Sequence, residues 1–201
     1  MLCLSAIMDC NLPKFTVEDI PLFIGITKDL FPGIERQEGD YKALTEKIEI
    51  VCEERNLQAR EGFVNKIIQL YETVMVRHGL MVVGDTYAGK SSNINVLKDA
   101  MTLMAEDKQK GFHPVDMICL NPKSITSAQL YGSYDKQTME WNDGIVPGLV
   151  RNCVADTRER RKWMCFDGPV DALWIEDMNT VLDDNKKLCL ASGEIIKLSE
   201  W

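Results

Sequence analysis

The sequence predicts an α/β fold in which helices flank a mainly parallel sheet and a helical extension precedes it. Two observations support this prediction. Helical periodicity dominates the first third of the chain, and from residue 80 onward short apolar runs alternate with helical patterns. Such alternation is typical of parallel strands joined by crossover helices. The apolar runs that predict strands are residues 80–83, 115–120 and 163–167.

The helical extension is predicted from apolar residues that recur on one face of a helix. The clearest stripe consists of Phe63, Ile67, Leu70 and Val74, with Val64, Ile68, Tyr71 and Met75 beside it. A stripe of this width is typical of a core helix, so we interpret it as packing. Helices are predicted for residues 16–30, 41–54, 62–78, 91–104, 124–131 and 144–157, and β-hairpins for residues 134–141 and 188–198.

A glycine-bounded loop between the first apolar run and a helix carries the clearest chemical signal. Residues 84–91 follow the pattern G-x-x-x-x-G-K-[ST], whose backbone N–H groups and helix N-terminus bind phosphate oxygens. Gly84 and Gly89 permit backbone angles and close approach that a β-carbon would block. Lys90 supplies a positive charge to the terminal phosphates, and the Ser91 hydroxyl can reach Mg²⁺. The predicted nucleotide-binding residues are Gly84, Asp85, Thr86, Tyr87, Ala88, Gly89, Lys90, Ser91 and Ser92.

The third apolar run ends in a carboxylate, Asp167, at the carboxyl end of a predicted parallel strand. This arrangement is typical of the strand that supplies the second protein ligand of Mg²⁺ in such nucleotide sites. The predicted metal ligands are therefore Ser91 and Asp167, and the predicted cofactors are Mg²⁺ with ATP or ADP.

The residue after Asp167 departs from the pattern of a hydrolase. AAA+ hydrolases usually place a glutamate there as the base that polarises the attacking water, whereas this chain has Gly168 followed by Pro169. Glu176 and Asp177 follow on a predicted helix, and nothing in their spacing places either at the γ-phosphate. A general base contributes roughly 10²- to 10⁴-fold in rate. The sequence therefore predicts a site that binds nucleotide and hydrolyses it poorly, with no catalytic residue assigned.

Composition excludes several other classes of function. The net charge is -8 and the sequence pI is about 4.9, which disfavours binding to nucleic acid or to an anionic membrane surface. No apolar run approaches the about 18 residues of a membrane-spanning helix. The seven cysteines form no C-x-x-C pair and there are two histidines, so we predict reduced thiols and no zinc site. A basic run at residues 158–162 contains Glu159, and we interpret it as a solvated turn rather than an anion site.

With these motifs in view, the chain resembles the dynein heavy chains along essentially its whole length. The most specific stretch lies within residues 167–188, and residues 187–193 resemble axonemal chains, particularly those of inner arms. The runs that carry the resemblance are residues 11–15, 29–33, 77–79, 121–126, 129–132, 141–144, 166–171 and 178–188.

The resemblance implies the second AAA+ module of the motor ring. Residues 1–33 would end the preceding module's small subdomain, and residues 34–201 would form a large subdomain that is truncated at its C-terminus. In that family the second module binds ATP as a structural or regulatory ligand, and the two hairpins resemble inserts that face the linker. Implied partners are neighbouring modules, the linker, intermediate and light chains and, through the whole protein, microtubules of the axoneme. The implied locations are the cytoplasm, the cytoskeleton and the cilium or flagellum.

The chain also departs from its relatives in ways that bear on the site. Residues 85–88 replace a loop that often carries a proline and a second glycine, and Ser5 and Met8 stand where relatives usually have arginines. The sensor residue and the arginine finger would lie beyond Trp201. Two alternatives stay open: a free-standing small P-loop kinase or NTPase, which Gly168 disfavours, and a nucleotide-free scaffold, which the intact residues 89–91 disfavour.

Overall fold

The computed structural model describes residues 2–33, 41–182 and 185–199. The chain forms two compact units, Met1–Ala100 and Met101–Trp201, which are described separately below. The predicted boundary between residues 33 and 34 borders a stretch, residues 34–40, that lies outside the described residues, and it stays a prediction. Among the described residues, no helix is both long enough and apolar enough to span a bilayer.

The first unit is helical in its described part, as the apolar stripes predict. Helix α4 contacts α1, α3 and the short 3-10 turn after α1. The fully buried side chains of this unit include Leu44, Ile48 and Val51 of α3 and Ile67 of α4, so both helices pack as predicted. The buried face of α4 is narrower than predicted, because Met75 is 47% exposed. The elements are α1 (Leu2–Asn11), a 3-10 turn (Leu12–Lys14), α2 (Ile20–Leu30), α3 (Lys42–Glu54), α4 (Glu61–Val76) and the start of α5 (Lys90–Glu106).

The prediction of a strand at residues 80–83 is wrong. These residues belong to no strand, and Met81 and Val83 are exposed. A strand needs a neighbour that accepts its backbone hydrogen bonds. In the described part of the first unit every regular element is a helix, so the run has no strand of its own unit to pair with.

The second unit contains a parallel pair of strands. Strands β1 and β4 pair in register from Val115 opposite Arg161 to Leu120 opposite Phe166. Parallel strands need a long crossover connection, and here it includes two helices and a hairpin. The elements are β1 (Val115–Leu120), α6 (Ser127–Tyr131), β2 (Gly132–Tyr134), β3 (Trp141–Asp143), α7 (Ile145–Ala155), β4 (Arg161–Phe166), α8 (Ala172–Ile175), a 3-10 turn (Glu176–Met178), α9 (Asn179–Leu182), β5 (Lys187–Cys189) and β6 (Ile195–Lys197).

The α/β fold class predicted from the sequence is confirmed, and so are both hairpins. Strand β2 pairs antiparallel with β3, and β5 pairs antiparallel with β6. Helix α6 begins later than predicted because Thr126 forms a capping box with Gln129, so the first turn starts at Ser127. One apolar cluster lies beneath these elements, and Leu120, Met164 and Phe166 of the parallel pair pack against it. Its buried members are Leu130, Tyr131, Val146, Val150, Trp174, Met178, Val181, Leu188, Leu190 and Ile196.

Candidate nucleotide-binding site

The glycine-bounded loop forms a tight turn immediately before helix α5. The Ala88 N–H donates to the Asp85 carbonyl at 3.1 Å, and Tyr87 and Gly89 adopt left-handed backbone angles, with φ of 64° and 83°. Gly89 therefore needs the conformational freedom that the sequence predicts for it. Helix α5 starts at Lys90, and the Asn93 N–H donates to the Gly89 carbonyl at 2.9 Å. The loop thus leads directly into a helix N-terminus, as a phosphate-binding loop requires.

Gly84 is less constrained than the sequence argument predicts. A β-carbon at residue 84 would lie 3.5 Å from the Ala88 β-carbon and 3.8 Å from the Lys90 side chain, both ordinary contact distances. The fold of the loop itself therefore does not require glycine at this position. Any need for glycine there would come from a ligand that approaches the backbone.

The Lys90 ammonium is held against the loop by two backbone carbonyls. Its Nζ donates to the Gly84 oxygen at 2.8 Å and to the Asp85 oxygen at 2.7 Å. Carbonyl oxygens are dipoles without formal charge, so this arrangement places the ammonium without neutralising it. Residues 84–88 and Ser91 are exposed, and Tyr87 is fully exposed at 100%, so an anion can reach the loop from solvent.

Asn93 is a site residue that the sequence analysis missed. Its Nδ2 donates to the Gly89 carbonyl at 3.0 Å, while its Oδ1 is buried without a hydrogen-bond partner. A buried polar atom without a partner is uncommon in proteins and costs free energy. The loop therefore combines a helix N-terminus with an un-neutralised ammonium, and both fit the oxygens of a phosphate-bearing ligand.

The second part of the predicted site lies at the carboxyl ends of β1 and β4. The Asp167 N–H donates to the Leu120 carbonyl at 2.9 Å, which continues the pairing of the two strands by one residue. Asp167 is exposed, so its carboxylate is free of the energetic cost of burial. No group of three or more His, Cys, Asp or Glu side chains that could hold a metal occurs among the described residues. Mg²⁺ bound to a nucleotide typically uses one or two protein ligands and the phosphates, so a lone carboxylate fits that role.

Comparison with known proteins identifies the family. A family model described as the hydrolytic ATP binding site of the dynein motor region matches residues 1–91. The chain is 55% identical over 203 residues to dynein axonemal heavy chain 1 of Rattus norvegicus, which covers 100% of this chain and 4% of that protein. It is 52% identical over 199 residues to dynein axonemal heavy chain 12 of Mus musculus, covering 99% of this chain and 6% of that protein. This chain belongs to the axonemal dynein heavy chains.

The resemblance inferred from the motifs is thereby confirmed at the level of the family, and the assignment to the second module stays a prediction. The chain spans only 4% to 6% of the length of these heavy chain relatives. The family model ends at Ser91, so its description does not extend to Asp167 or Gly168.

The loops after β1 and β4 of this dynein chain contact each other closely. The Asn121 Oδ1 accepts from the Lys123 N–H at 2.9 Å, and a β-carbon on Gly168 would stand only 2.8 Å from that oxygen. Lys123 Nζ also donates to the carboxylate of Asp171 in a close ion pair. The ion pair joins the loop after β1 to the residues after β4. Asn121, Lys123 and Asp171 were not among the predicted site residues, although two of the runs that carry the family resemblance contain them.

The two acidic residues considered as substitute bases lie on an exposed 3-10 turn. Both Glu176 and Asp177 are exposed. Burial raises the pKa of Tyr131, and the negative charge of Asp177 raises it further, so Asp177 lies near this phenol. Asp177 therefore lies beside the apolar cluster that contains Tyr131, and this position does not support a catalytic role.

The basic run is only in part the solvated turn that the sequence predicts, because Arg158 and Glu159 form an exposed bend whereas residues 160–162 are partly buried. Arg161 and Lys162 are part of strand β4 and are only partly exposed. Lys162 Nζ lies 2.7 Å from an oxygen of Asp156, and Arg160 lies 2.7 Å from an oxygen of Asp116. Hydrogen bonds from Arg158 and then Lys162 hold the pKa of Asp156 well below its usual range. Arg158, Arg160 and Lys162 thus pair with carboxylates of the same unit, which disfavours an anion site here.

Proposed function

We propose that this chain is an ATP-binding AAA+ module of an axonemal dynein heavy chain, the second in the motor ring. It binds Mg²⁺-ATP or Mg²⁺-ADP through residues 84–92 and turns it over slowly or not at all. The observation that carries the proposal is the Lys90 ammonium, which two loop carbonyls hold beside the N-terminus of α5 without cancelling its charge. The family model, described as an ATP binding site, covers residues up to Ser91. Because the chain belongs to the heavy chain family, we do not favour the alternative of a free-standing kinase or NTPase.

In this proposal Ser91 and Asp167 would hold Mg²⁺, which would neutralise charge on the phosphates when it is bound. Loop N–H groups and Lys90 bind the phosphate oxygens. The nucleotide acts as a structural or regulatory ligand of the ring, because these groups bind the ground state without supplying a base at residue 168.

The remaining partners follow from the parent proteins. We propose that neighbouring modules of the same heavy chain and its linker contact this module, with the two hairpins on the linker side. Intermediate and light chains and microtubules are partners of the whole protein, and the location is the axoneme of a cilium or flagellum.

The binding proposal is tested by calorimetric titration of nucleotide into the wild-type protein and into Lys90→Ala. Losing a charged donor to phosphate costs about 1.5–3 kcal/mol, so we expect affinity to fall by at least about tenfold. Lys110→Ala, which removes an exposed lysine outside the loop, serves as the control and should bind as wild type does. Equal affinities of Lys90→Ala and wild type would exclude the loop as the site.

The metal proposal has its own test. Asp167→Asn should remove most of the gain in affinity that Mg²⁺ gives, while binding in the presence of a chelator stays nearly unchanged. Asp177→Asn is the matched control, because it removes a carboxylate from the same unit on the exposed 3-10 turn. A normal Mg²⁺ response in Asp167→Asn would show that the metal is held elsewhere.

A further inference from the structure

One arginine of helix α7 contacts both hairpins of the second unit. Arg151 Nε and Nη2 donate to the two oxygens of Glu194, at 3.0 Å and 2.6 Å, beside strand β6. Its Nη2 also donates to Asp143 Oδ1 at 3.2 Å, and its Nη1 pairs with the second oxygen of Asp143, the last residue of β3. A single guanidinium therefore makes a two-point contact to each hairpin.

The backbone provides no sheet pairing between the hairpins. Strands β2 and β3 form one two-stranded sheet, and β5 and β6 form another, with no ladder joining them among the described strands. Both rest on the same apolar cluster through Trp141, Leu188 and Ile196. Apolar contact is not directional, so it allows the hairpins to tilt relative to each other. Directional bonds to Arg151 remove that freedom.

Arg151, Asp143 and Glu194 each favour the charged form of their partners. Hydrogen bonds from Arg151 hold the pKa of Asp143 and of Glu194 below their usual ranges, and the two carboxylates raise the pKa of Arg151. Ion pairs at this exposure, with side chains 37% to 42% accessible, are usually weak. Two-point geometry and a shared arginine are the conditions under which such pairs contribute measurably.

We propose that Arg151 is the residue that couples the two hairpins, so that β2–β3 and β5–β6 move as one element. Arginine suits this role because its planar fork offers five donors, enough for two carboxylates at once, whereas lysine presents a single ammonium. The coupling does not depend on nucleotide, so it goes beyond the function proposed above. A displacement imposed on one hairpin is transmitted to the other through this side chain.

Hydrogen exchange in the intact heavy chain tests this proposal. Arg151→Met keeps the apolar stem and removes every donor, and we expect amide exchange to accelerate about fivefold in peptides covering both hairpins. Arg151→Lys should not restore the wild-type protection from amide exchange in both hairpins. Lys136→Met, at the exposed tip of the first hairpin, is the control and should change no peptide of the second. Peptides of β1 report whether the second unit remains folded.

Coupling is separated from local stabilisation by a mutant cycle. With Arg151 present, Asp143→Asn in the first hairpin should change exchange in residues 187–197, and its effect should not add to that of Glu194→Gln. In the Arg151→Met background the two effects should add. Acceleration confined to one hairpin, or additivity in both backgrounds, would overturn the proposal. If Arg151→Met does not fold, additive effects of Asp143→Asn and Glu194→Gln with Arg151 present are by themselves enough to overturn the proposal.

Discussion

The Asn121 Oδ1 lies 2.8 Å from the position that a β-carbon on Gly168 would occupy. The Asn121 amide is held there by the Lys123 N–H, and the ring of Pro122 would be 3.2 Å from the same β-carbon. The loops that follow β1 and β4 thus approach so closely that only glycine fits at residue 168 without a shift. The chain therefore lacks a glutamate at residue 168, and in addition the Asn121 oxygen occupies the space that the β-carbon of such a side chain would need.

The first prediction concerns the stability of this contact. Gly168→Ala should lower the free energy of unfolding by about 0.5–1.5 kcal/mol, because the exposed Asn121 side chain must turn away and give up its hydrogen bond to the Lys123 N–H. Urea unfolding at equilibrium measures the change. Asn121→Ala in the same chain should remove much of that cost, so the two substitutions should be non-additive.

Gly148→Ala is the matched control for this prediction. Gly148 lies in α7, and a β-carbon there would meet nothing within 4 Å. Alanine should stabilise the helix there by up to about 1 kcal/mol. Equal effects of alanine at residues 148 and 168 would show that the Asn121 contact does not constrain the loop.

The second prediction concerns the buried phenol of Tyr131. Its hydroxyl donates to the Trp174 carbonyl within the apolar cluster. Tyr131→Phe leaves that carbonyl without its partner, so we expect a loss of about 1–2 kcal/mol in the free energy of unfolding. Tyr134→Phe, which alters a tyrosine that is 46% exposed, should change stability by less than about 0.5 kcal/mol. Equal values for the two variants would contradict a role for the hydrogen bond.

Local patterns determined how much of the fold the sequence could predict. Helices α3 and α4 and strands β1 and β4 were predicted because each has an apolar periodicity of its own. The same reasoning failed at residues 80–83, where the pattern of a strand is present but no strand of the same unit lies beside it. Apolar periodicity indicates which secondary structure a segment can adopt. A strand forms only when a neighbouring strand accepts and donates its backbone hydrogen bonds.

The site shows the same division between local and distant information. The sequence predicts the loop of residues 84–91 and the carboxylate of Asp167 because each belongs to a short, recognisable motif. The contact between Asn121 and Gly168 and the ion pair between Lys123 and Asp171 join residues far apart in the chain. Such contacts depend on the parallel pairing of β1 with β4, which has no signature in either segment alone.

The third prediction is a loss of stability in acid. Hydrogen bonds from Arg151 lower the pKa of Asp143 and of Glu194, and hydrogen bonds from Arg158 and Lys162 lower that of Asp156. A carboxylate whose pKa is lower in the folded state stabilises the fold above its unfolded pKa of about 4. This contribution is lost as the pH falls through the folded value. Urea midpoints should therefore decrease progressively below about pH 5.

Arg151→Met should make this acid dependence shallower. Without the arginine, the pKa values of Asp143 and Glu194 return toward their unfolded values, so less stability remains to be lost on protonation. Lys136→Met removes one positive charge without touching the network and should leave the slope unchanged. An unaltered slope in Arg151→Met would mean that its two carboxylates do not contribute to stability.

The last prediction concerns turnover in the assembled heavy chain. With the other ATP sites disabled, we expect single-turnover hydrolysis at this site to be slower by about 10²- to 10⁴-fold than at a site with a glutamate base. Loop N–H groups, Lys90 and Mg²⁺ would bind the triphosphate and the transition state alike, which gives affinity without rate. Turnover of about one per second that disappears with Lys90→Ala would contradict this prediction. Glu176 would then be the next candidate for the base.

Restoring the base alone should not restore hydrolysis. In Gly168→Glu the new side chain begins 2.8 Å from the Asn121 oxygen, and Pro169 restricts the backbone on its other side. The glutamate can be accommodated only if the Asn121 side chain moves, which breaks its bond to the Lys123 N–H. Gly168→Glu combined with Asn121→Gly should therefore hydrolyse faster than Gly168→Glu alone. Equal rates would show that the obstacle lies outside these two loops.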